Sequence, residues 1–261
     1  MLVAERHQKI IEIVNDRKSV RVTELSKAFS VTDETIRRDL EKLERDKKLA
    51  RSHGGAVSIE SQQDTPEMTY EEREIMHVEE KKEIAKKAVK HIVEEDKIIL
   101  DASTTAWYVA KNLPNMNLTV LTNSVKVTLE LSKKNKITVI STGGTLLNRS
   151  LSYVGPLAEN AFDFYHVNKA FLSCKGIHPV RGISESNEQQ ARVKQKMIEI
   201  TDTTYVLADH HKYEVQGFAH VSALSKIDRV ITDSAAPKEM ILELEEKGIH
   251  VIQNDYDHGL S

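Results

Sequence analysis

Cysteine is nearly absent: Cys174 is the only one in 261 residues. That excludes a disulfide framework and a cysteine-based zinc site within one chain. No apolar run reaches membrane-spanning length, and the N-terminus carries helix periodicity where a signal peptide would carry an apolar core. These absences predict a cytoplasmic protein with no membrane partner. Internal repeats and low-complexity tracts are missing as well. So are the plainest enzyme signatures, since there is no G-x-S-x-G elbow, P-loop, G-x-G-x-x-G or H-E-x-x-H. His210 and His211 are adjacent, and neighbours on a regular strand point to opposite faces, so no joint metal site is expected. The sequence predicts no cofactor.

Acidic and basic residues nearly balance, with a net charge of −3, which by itself argues against nucleic acid. The distribution reverses that. Residues 1–58 carry 13 Lys and Arg against 10 Asp and Glu, or +3, which leaves −6 for the remainder. A patch of +3 is modest, and pairing two copies would double it.

The positive segment contains Thr32 to Val57. Ile36, Leu40 and Leu43 recur at i, i+4 and i+7, the spacing of one helical face. Thr32 suits the N-cap, and Asp33 and Glu34 suit the positive end of the helix dipole. Arg38 then points away from the apolar face, with Arg37 and Thr35 flanking. Arg51-Ser52-His53, Gly54-Gly55 and Ala56-Val57 follow, a hairpin whose glycines supply the positive φ of a tight turn. Upstream, Val3, His7, Ile10, Ile11 and Val14 form a helical stripe, and Ser19–Val22 suits a short strand. Thr23 suits the cap of a second helix carrying Leu25, Ala28 and Phe29. Ser30-Val31-Thr32 matches the turn of a helix-turn-helix. The pattern is that of a recognition helix followed by a wing.

Val22-Thr23-Glu24-Leu25-Ser26, Thr35-Ile36-Arg37-Arg38-Asp39-Leu40, Leu43 and Arg51-Ser52-His53-Gly54-Gly55-Ala56 resemble the winged helix-turn-helix of DeoR-type bacterial transcriptional repressors. The candidate DNA-contacting residues are Thr23, Thr32, Thr35, Arg37, Arg38, Arg51, Ser52 and His53, and the implied partner is double-stranded operator DNA.

Ser58–Pro66 is polar and ends at a proline, which predicts a DNA-binding domain over 1–58, a linker over 59–66 and a second domain over 67–261. The stretch from Thr69 to Lys97 reads as one charged helix with Ile75, Ile84, Ala88 and Ile92 as its apolar positions. Beyond it, strands are expected at 97–100, 118–121, 137–140, 169–173, 204–208, 229–232 and 248–253. Helices are expected at 105–113, 124–133, 188–200 and 236–246. This alternation predicts a mainly parallel, Rossmann-like α/β sheet, whose ligands bind off the carboxyl ends of the strands. Hydroxyl and glycine residues gather there, in Asp101–Thr105, Thr122–Ser124, Ser141–Thr145, Ser173–Gly176 and Asp209–Lys212. Backbone N–H groups and hydroxyls at a helix start suit a phosphate or carboxylate, so the loops together predict a site for a small polyhydroxylated anion.

The same loops, with ISESNEQQARVKQKMI, resemble the DeoR-type effector domain, which is similar in fold to ribose-5-phosphate isomerase and whose members typically sense phosphorylated sugars. The resemblance implies that Asp101, Ser103, Thr104 and Thr105 form the phosphate and sugar loop, with Asn123, Gly143, Gly144, Lys175 and Lys212 completing the pocket. Ser103 stands where the family usually has glycine, and His211 stands where it has serine.

An isomerase is the rival reading. It needs a carboxylate base, and it carries an acidic Asp-Gly-Ala-Asp loop where this chain has Leu172-Ser173-Cys174-Lys175, although Glu185 and Glu188 follow nearby. A DNA-binding scaffold without a ligand is a third reading, and it leaves the polar loops unexplained. The sequence therefore predicts a non-catalytic, homo-oligomeric repressor: a winged helix-turn-helix joined to an α/β sensor domain and released from its operator by a sugar phosphate.

Overall fold

The computed structural model describes residues 3–17, 19–46, 48–52, 54–57 and 68–253, which belong to two compact units, Met1–Pro66 and Glu67–Ser261. His53 and the proposed linker lie outside the described residues.

The first unit runs α1 (Val3–Arg17), β1 (Ser19–Arg21), α2 (Val22–Phe29), α3 (Asp33–Arg45), β2 (Ala50–Ser52) and β3 (Gly55–Val57), with the strands in the antiparallel order β1-β3-β2. Ile10, Val14, Leu25, Ile36, Leu40, Leu43, Leu49 and Ala56 share one core. Thr32 caps α3 as its position predicts: its hydroxyl accepts the Thr35 N–H at 3.2 Å. Thr23 is not a cap. The helix starts one residue earlier, at Val22, with Arg21 in the cap position and no side-chain cap bond, and the Val22 N–H donates to the Gly54 carbonyl of the wing at 2.8 Å. The two wing glycines also divide their roles. Gly54 takes the left-handed turn conformation, at φ +85°, whereas Gly55 is ordinary strand. There any Cβ would fall 2.1 Å from the Val20 carbonyl oxygen, so Gly55 is required by the closeness of β1.

Asp39 ties α3 to α1. Only 6% exposed, it accepts two bonds from Arg6, at 2.6 and 3.1 Å, and faces the His7 Nε2 at 2.8 Å. Burial works against its charge, but the bonds from Arg6 and His7 outweigh that and hold the carboxyl below its ordinary value.

The second unit continues with α4 (Tyr70–Ile75), α5 (Val78–Lys90), β4 (Lys97–Leu100), α6 (Thr104–Asn112), β5 (Leu118–Thr122), α7 (Val125–Leu131) and β6 (Ile137–Ser141). It then has β7 (Thr145–Leu147), β8 (Ser152–Val154), α8 (Pro156–Phe162), β9 (Val167–Ser173), β10 (Gly176–His178), β11 (Gly182–Glu185) and α9 (Glu188–Glu199). The last elements are β12 (Thr201–Leu207), β13 (Ala219–Ser222), β14 (Arg229–Ile231), α10 (Lys238–Glu246) and β15 (His250–Ile252). Seven strands pair in parallel in the order β15-β14-β12-β9-β4-β5-β6. Alternate strand residues feed two cores. Ile98, Leu100, Phe171 and Leu207 pack with α5, α6 and α7, while Ile99, Ala170, Leu172 and Val206 pack with α8, α9 and α10. The small sheet β10-β11-β13 and the hairpin β7-β8 add elements that the sequence reading did not contain.

The single charged helix expected from Thr69 onward is two helices. His77 between them sits at φ +51°, and Lys81 donates to the carbonyls of both Arg73 and Met76 (2.6 Å for the latter), so the break is wound around an ammonium group. Ile75 is 78% exposed, and Tyr70 is the residue that α4 buries.

The parallel sheet reverses direction between β4, which leads on to β5 and β6, and β9 on its other side. Asp101, at the end of β4, accepts the Ser173 N–H from the end of β9 at 2.9 Å. Lys194 of α9 lies 2.9 Å from Asp101, bonds the Ser173 carbonyl and pairs with Glu185. All three charged residues are buried. Desolvation opposes the lysine's charge, but the two carboxylates hold its pKa above the ordinary value.

Two substitutions test these buried charges. Asp39→Asn leaves Arg6 without its counter-charge and should destabilise the first unit by about 3–5 kcal/mol. Hydrogen exchange of the Ile36–Leu43 amides in the full chain should record that loss. Because the folded pKa of Asp39 is depressed, the clamp's contribution is complete above the ordinary value of 3.8 and is lost as pH falls through the lower folded value. The asparagine variant should lack that acid dependence. Lys194→Met strands two buried carboxylates and should cost about 3–5 kcal/mol of sensor stability. Adding Asp101→Asn and Glu185→Gln should return most of it, and an unimproved melting temperature in the triple variant would contradict the charge argument.

Candidate functional site

In the first unit the outward side of α3 carries Arg37 and Arg38, both exposed. Arg38 pairs with Glu34 one turn back at 3.3 Å, with 78% of its side chain exposed. An i,i+4 pair of that kind is held only weakly, so Arg38 is available to exchange Glu34 for another acceptor. Arg37 has no ion pair among the described residues. Arg51 is fastened: its N–H donates to Glu44 at 3.0 Å and its guanidinium meets Glu41 at 3.0 Å, which sets the first strand of the wing against α3. Thr32 and Thr35 share a hydroxyl contact at 2.9 Å beside the arginines, and Thr23 is exposed on α2. The Ser52 side chain lies outside the described set, as does His53. The surface thus brings a basic helix face and a hairpin arm together, which suits a duplex groove.

In the second unit the predicted loop Asp101–Thr105 runs from β4 into α6, and every residue in it is buried. Its members divide. Asp101 belongs to the buried ion cluster, and its other oxygen accepts the Ser103 N–H at 3.1 Å. The Ser103 hydroxyl caps α6, accepting the Ala106 N–H at 3.0 Å. Where the family usually has glycine, this serine is therefore spent on the helix. Thr104 and Thr105 are the uncommitted pair. Among the described residues their hydroxyls have no hydrogen-bond partner, and their N–H groups lie in the first turn, where no helical carbonyl reaches. Two buried hydroxyls and two free N–H groups at a helix start suit the oxygens of an anion.

Asn123, after β5, donates to the Tyr153 carbonyl at 3.0 Å while its Oδ1 is buried without a partner. That free acceptor suits a ligand hydroxyl. Gly143 and Gly144, after β6, both have positive φ, at +63° and +113°. A Cβ on Gly144 would come within 2.8 Å of the Val154 carbonyl oxygen and 3.1 Å of the Ala158 Cβ, so its smallness serves the hairpin and α8. Only Gly143 faces open space. Lys175 is exposed, and among the described contacts only its backbone is tied, by the N–H to Ser184 at 2.8 Å.

Asp209–Lys212 forms a 3-10 turn, capped by Asp209 through the His211 N–H at 3.1 Å. The reasoning that parted His210 and His211 by strand geometry does not apply to a turn, and their rings lie 3.8 Å apart. His210 is bound to Asp233 at 2.7 Å, and His211 stacks on His77 at 3.8 Å. His77, Glu80 and His211 bring ligand-type atoms within 4.8 Å of one another. Lys212 donates to the Cys174 carbonyl at 2.5 Å. The buried Cys174 thiol is itself pushed up to about 11 by desolvation, which keeps it protonated and inert.

The sequence reading missed two cations. Lys194 lies beneath the loop, on the stripe of Ala191, Met197 and Ile198, and a lysine on an apolar stripe was the available signal. Lys81 shares a face with Ile84, Ala85 and Ala88 and is buried with them. Burial, and next Lys212, pull its pKa down to about 8. Lys81 and Lys212 thus press two positive charges together, a field that an anion relieves.

Residues 6–62 match the model of the DeoR-like helix-turn-helix domain, and residues 76–234 match that of the DeoR C-terminal sensor domain. An HTH-type transcriptional regulator of Bacillus subtilis strain 168, YulB, is 57% identical over 251 residues, covering 96% of each chain. The L-fucose operon activator of Haemophilus influenzae is 36% identical and covers 90% of this chain and 94% of its own length. A putative aga operon transcriptional repressor of Escherichia coli O157:H7 is 30% identical over 95% and 93% of the two chains. With both domains matched in order and a recognition face on the first, this chain belongs to the DeoR family of DNA-binding transcriptional regulators.

Proposed function

We propose that the regulator is a cytoplasmic repressor of a sugar-catabolic operon, working as a homo-oligomer and released from its operator by a phosphorylated sugar. The observation that carries the ligand is the uncommitted, buried Thr104–Thr105 pair at the start of α6, together with the paired cations Lys81 and Lys212. The free Asn123 Oδ1 adds an acceptor for a sugar hydroxyl. Two relatives named for a fucose operon and an aga operon support the sugar context. A second copy would double a weakly basic reading head and present two recognition helices to a two-fold operator. No described helix is long and apolar enough to cross a membrane, which accords with a protein that works on DNA.

The same residues argue against sugar isomerisation. Proton abstraction needs a carboxylate free to reach substrate. Glu185 is buried against Lys194, Glu188 pairs with Arg192 at 2.7 Å on the surface, and Leu172–Lys175 offers no acid.

Operator titrations test the reading head. Arg38→Ala should cost about 1–3 kcal/mol and relax the sequence preference, as loss of a base contact does. Arg37→Ala should weaken all sequences alike and reduce the salt slope. Equal operator binding by wild type and Arg38→Ala would remove that assignment. For the sensor, charge-assisted hydrogen bonds contribute about 1.5–3 kcal/mol each. Thr104→Ala with Thr105→Ala should therefore bind operator normally yet fail to release it when sugar phosphate is added. Normal release by the double variant would discard the loop, and turnover of a sugar phosphate by the wild type would revive the isomerase.

A further inference from the structure

Arg73 of α4 is half-buried, with part of its guanidinium closed off. Its Nε and Nη2 are shut off from solvent, and neither has a hydrogen-bond partner among the described residues. Three residues earlier, Tyr70 is 0% exposed, and its hydroxyl is equally without a partner. Buried guanidinium N–H groups without acceptors cost free energy, and a native structure retains such groups where something else completes them. Among the described residues Arg73 forms no ion pair with a carboxylate, and three acids nearby are already engaged. Glu74 is taken by Lys126 at 3.3 Å, Asp101 by Lys194 at 2.9 Å, and Asp209 caps its own turn.

The surroundings are instead cationic. The Lys126 ammonium lies 4.9 Å from the centre of the Tyr70 ring, and the Arg73 guanidinium lies 5.8 Å from it. Lys81 donates to the Arg73 carbonyl, which fixes the C-terminal end of α4. At the other end, Thr69 and Glu72 form a capping box, and the Tyr70 N–H donates to the Arg149 carbonyl at 2.6 Å. The helix is held at both ends while two of its inward polar groups go unmatched. α4 follows directly on the connecting segment and lies between the two matched domains, at 63–75.

We infer that Arg73, with the Tyr70 hydroxyl beside it, is an anion-binding contact of the effector site. A phosphate or carboxylate group on the ligand supplies the missing acceptors, and the ligand is thereby gripped by the segment that leads to the reading head. The guanidinium fork matches two oxygens of such a group, which a lysine does not. The inference rests on reading the strand-end loops as an anion site.

Inorganic phosphate, titrated into the full-length protein by calorimetry and thermal shift, tests it. Loss of a charge-assisted pair should make binding by Arg73→Met about 10- to 100-fold weaker than wild type. Tyr70→Phe should bind about 2- to 10-fold more weakly, as for a neutral hydrogen bond. Arg73→Lys, which keeps the charge and the packing stem, should fall between wild type and Arg73→Met, and it serves as the folding control. Phosphate should also slow amide exchange across 70–76 in the wild type and leave it unchanged in Arg73→Met. Wild-type affinity in Arg73→Met, with binding lost in the Thr104→Ala, Thr105→Ala variant, would overturn the Arg73 contact and leave the anion site standing. Loss in Arg73→Met with the threonine variant unaffected would uphold Arg73 and remove the loop. No phosphate binding by the wild type would overturn both.

Discussion

Asp101 sits where the parallel sheet changes direction, and the sensor site depends on what it holds. Strands β4 and β9 end side by side there, and the loops leaving them diverge to opposite faces of the sheet. Such a crevice is where α/β folds bind ligands. One carboxylate bridges it by accepting the Ser103 N–H on one side and the Ser173 N–H on the other. Lys194, itself shared with Glu185, pairs with that carboxylate, and all three side chains are buried. The arrangement sets the loop that starts α6 while leaving the hydroxyls of Thr104 and Thr105 unspent. On the proposed reading, support and reception fall to neighbouring residues of one pentapeptide.

The charge pattern follows from the same division. A buried lysine between two acids leaves an excess of negative charge under the loop. Above it, Lys81 and Lys212 crowd each other, and Arg73 adds a third cation without a partner of its own. Among the described residues none of the three forms an ion pair with a carboxylate, although Asp209 and Glu80 lie near enough to Lys81 to favour its charge. A regulator gains from this asymmetry, because a ligand can shift a conformational equilibrium only through free energy that differs between its states. Cations without an ion-pair partner provide such a difference.

Much of this was legible in the sequence, for reasons particular elements make plain. β4 was read over 97–100 and occupies those residues, because an apolar β-branched run between charged and turn residues has little else to become. The recognition helix was legible from Thr32 to Leu43, since capping, periodicity and charge agree there. The hairpin β7-β8 and the sheet β10-β11-β13 were not, because their strands mix glycine, serine, threonine and histidine with few apolar residues and lack the continuous β-branched run of β4. The helix break at His77 escaped for a different reason: it is made by a lysine's bonds to two carbonyls, and no local propensity encodes that. The roles of Lys194 and Lys81 went unread because their partners lie in other elements, although each sits on an apolar stripe of its helix. Thr23 failed as a cap because the helix already begins at Val22, behind a cap position held by Arg21 that no side chain marks. The loop residues at Thr104 and Thr105 were found by composition, but only the geometry separates them from Ser103, which looks equally suitable and is already occupied.

The tripeptide Arg37-Arg38-Asp39 is divided by the helix surface: two residues look out, and the third reaches inward to Arg6 and His7 on α1. This has a consequence for anyone wishing to rewire the operator preference. The recognition helix is not a detachable cartridge. A helix transplanted from a relative without an acid at position 39 would leave Arg6 buried against nothing, and one placed in a host lacking Arg6 would bury a lone carboxylate. On the proposed reading, new specificity is written on Thr35, Arg37 and Arg38, and a graft of the whole helix has to bring residues 6 and 7 with it.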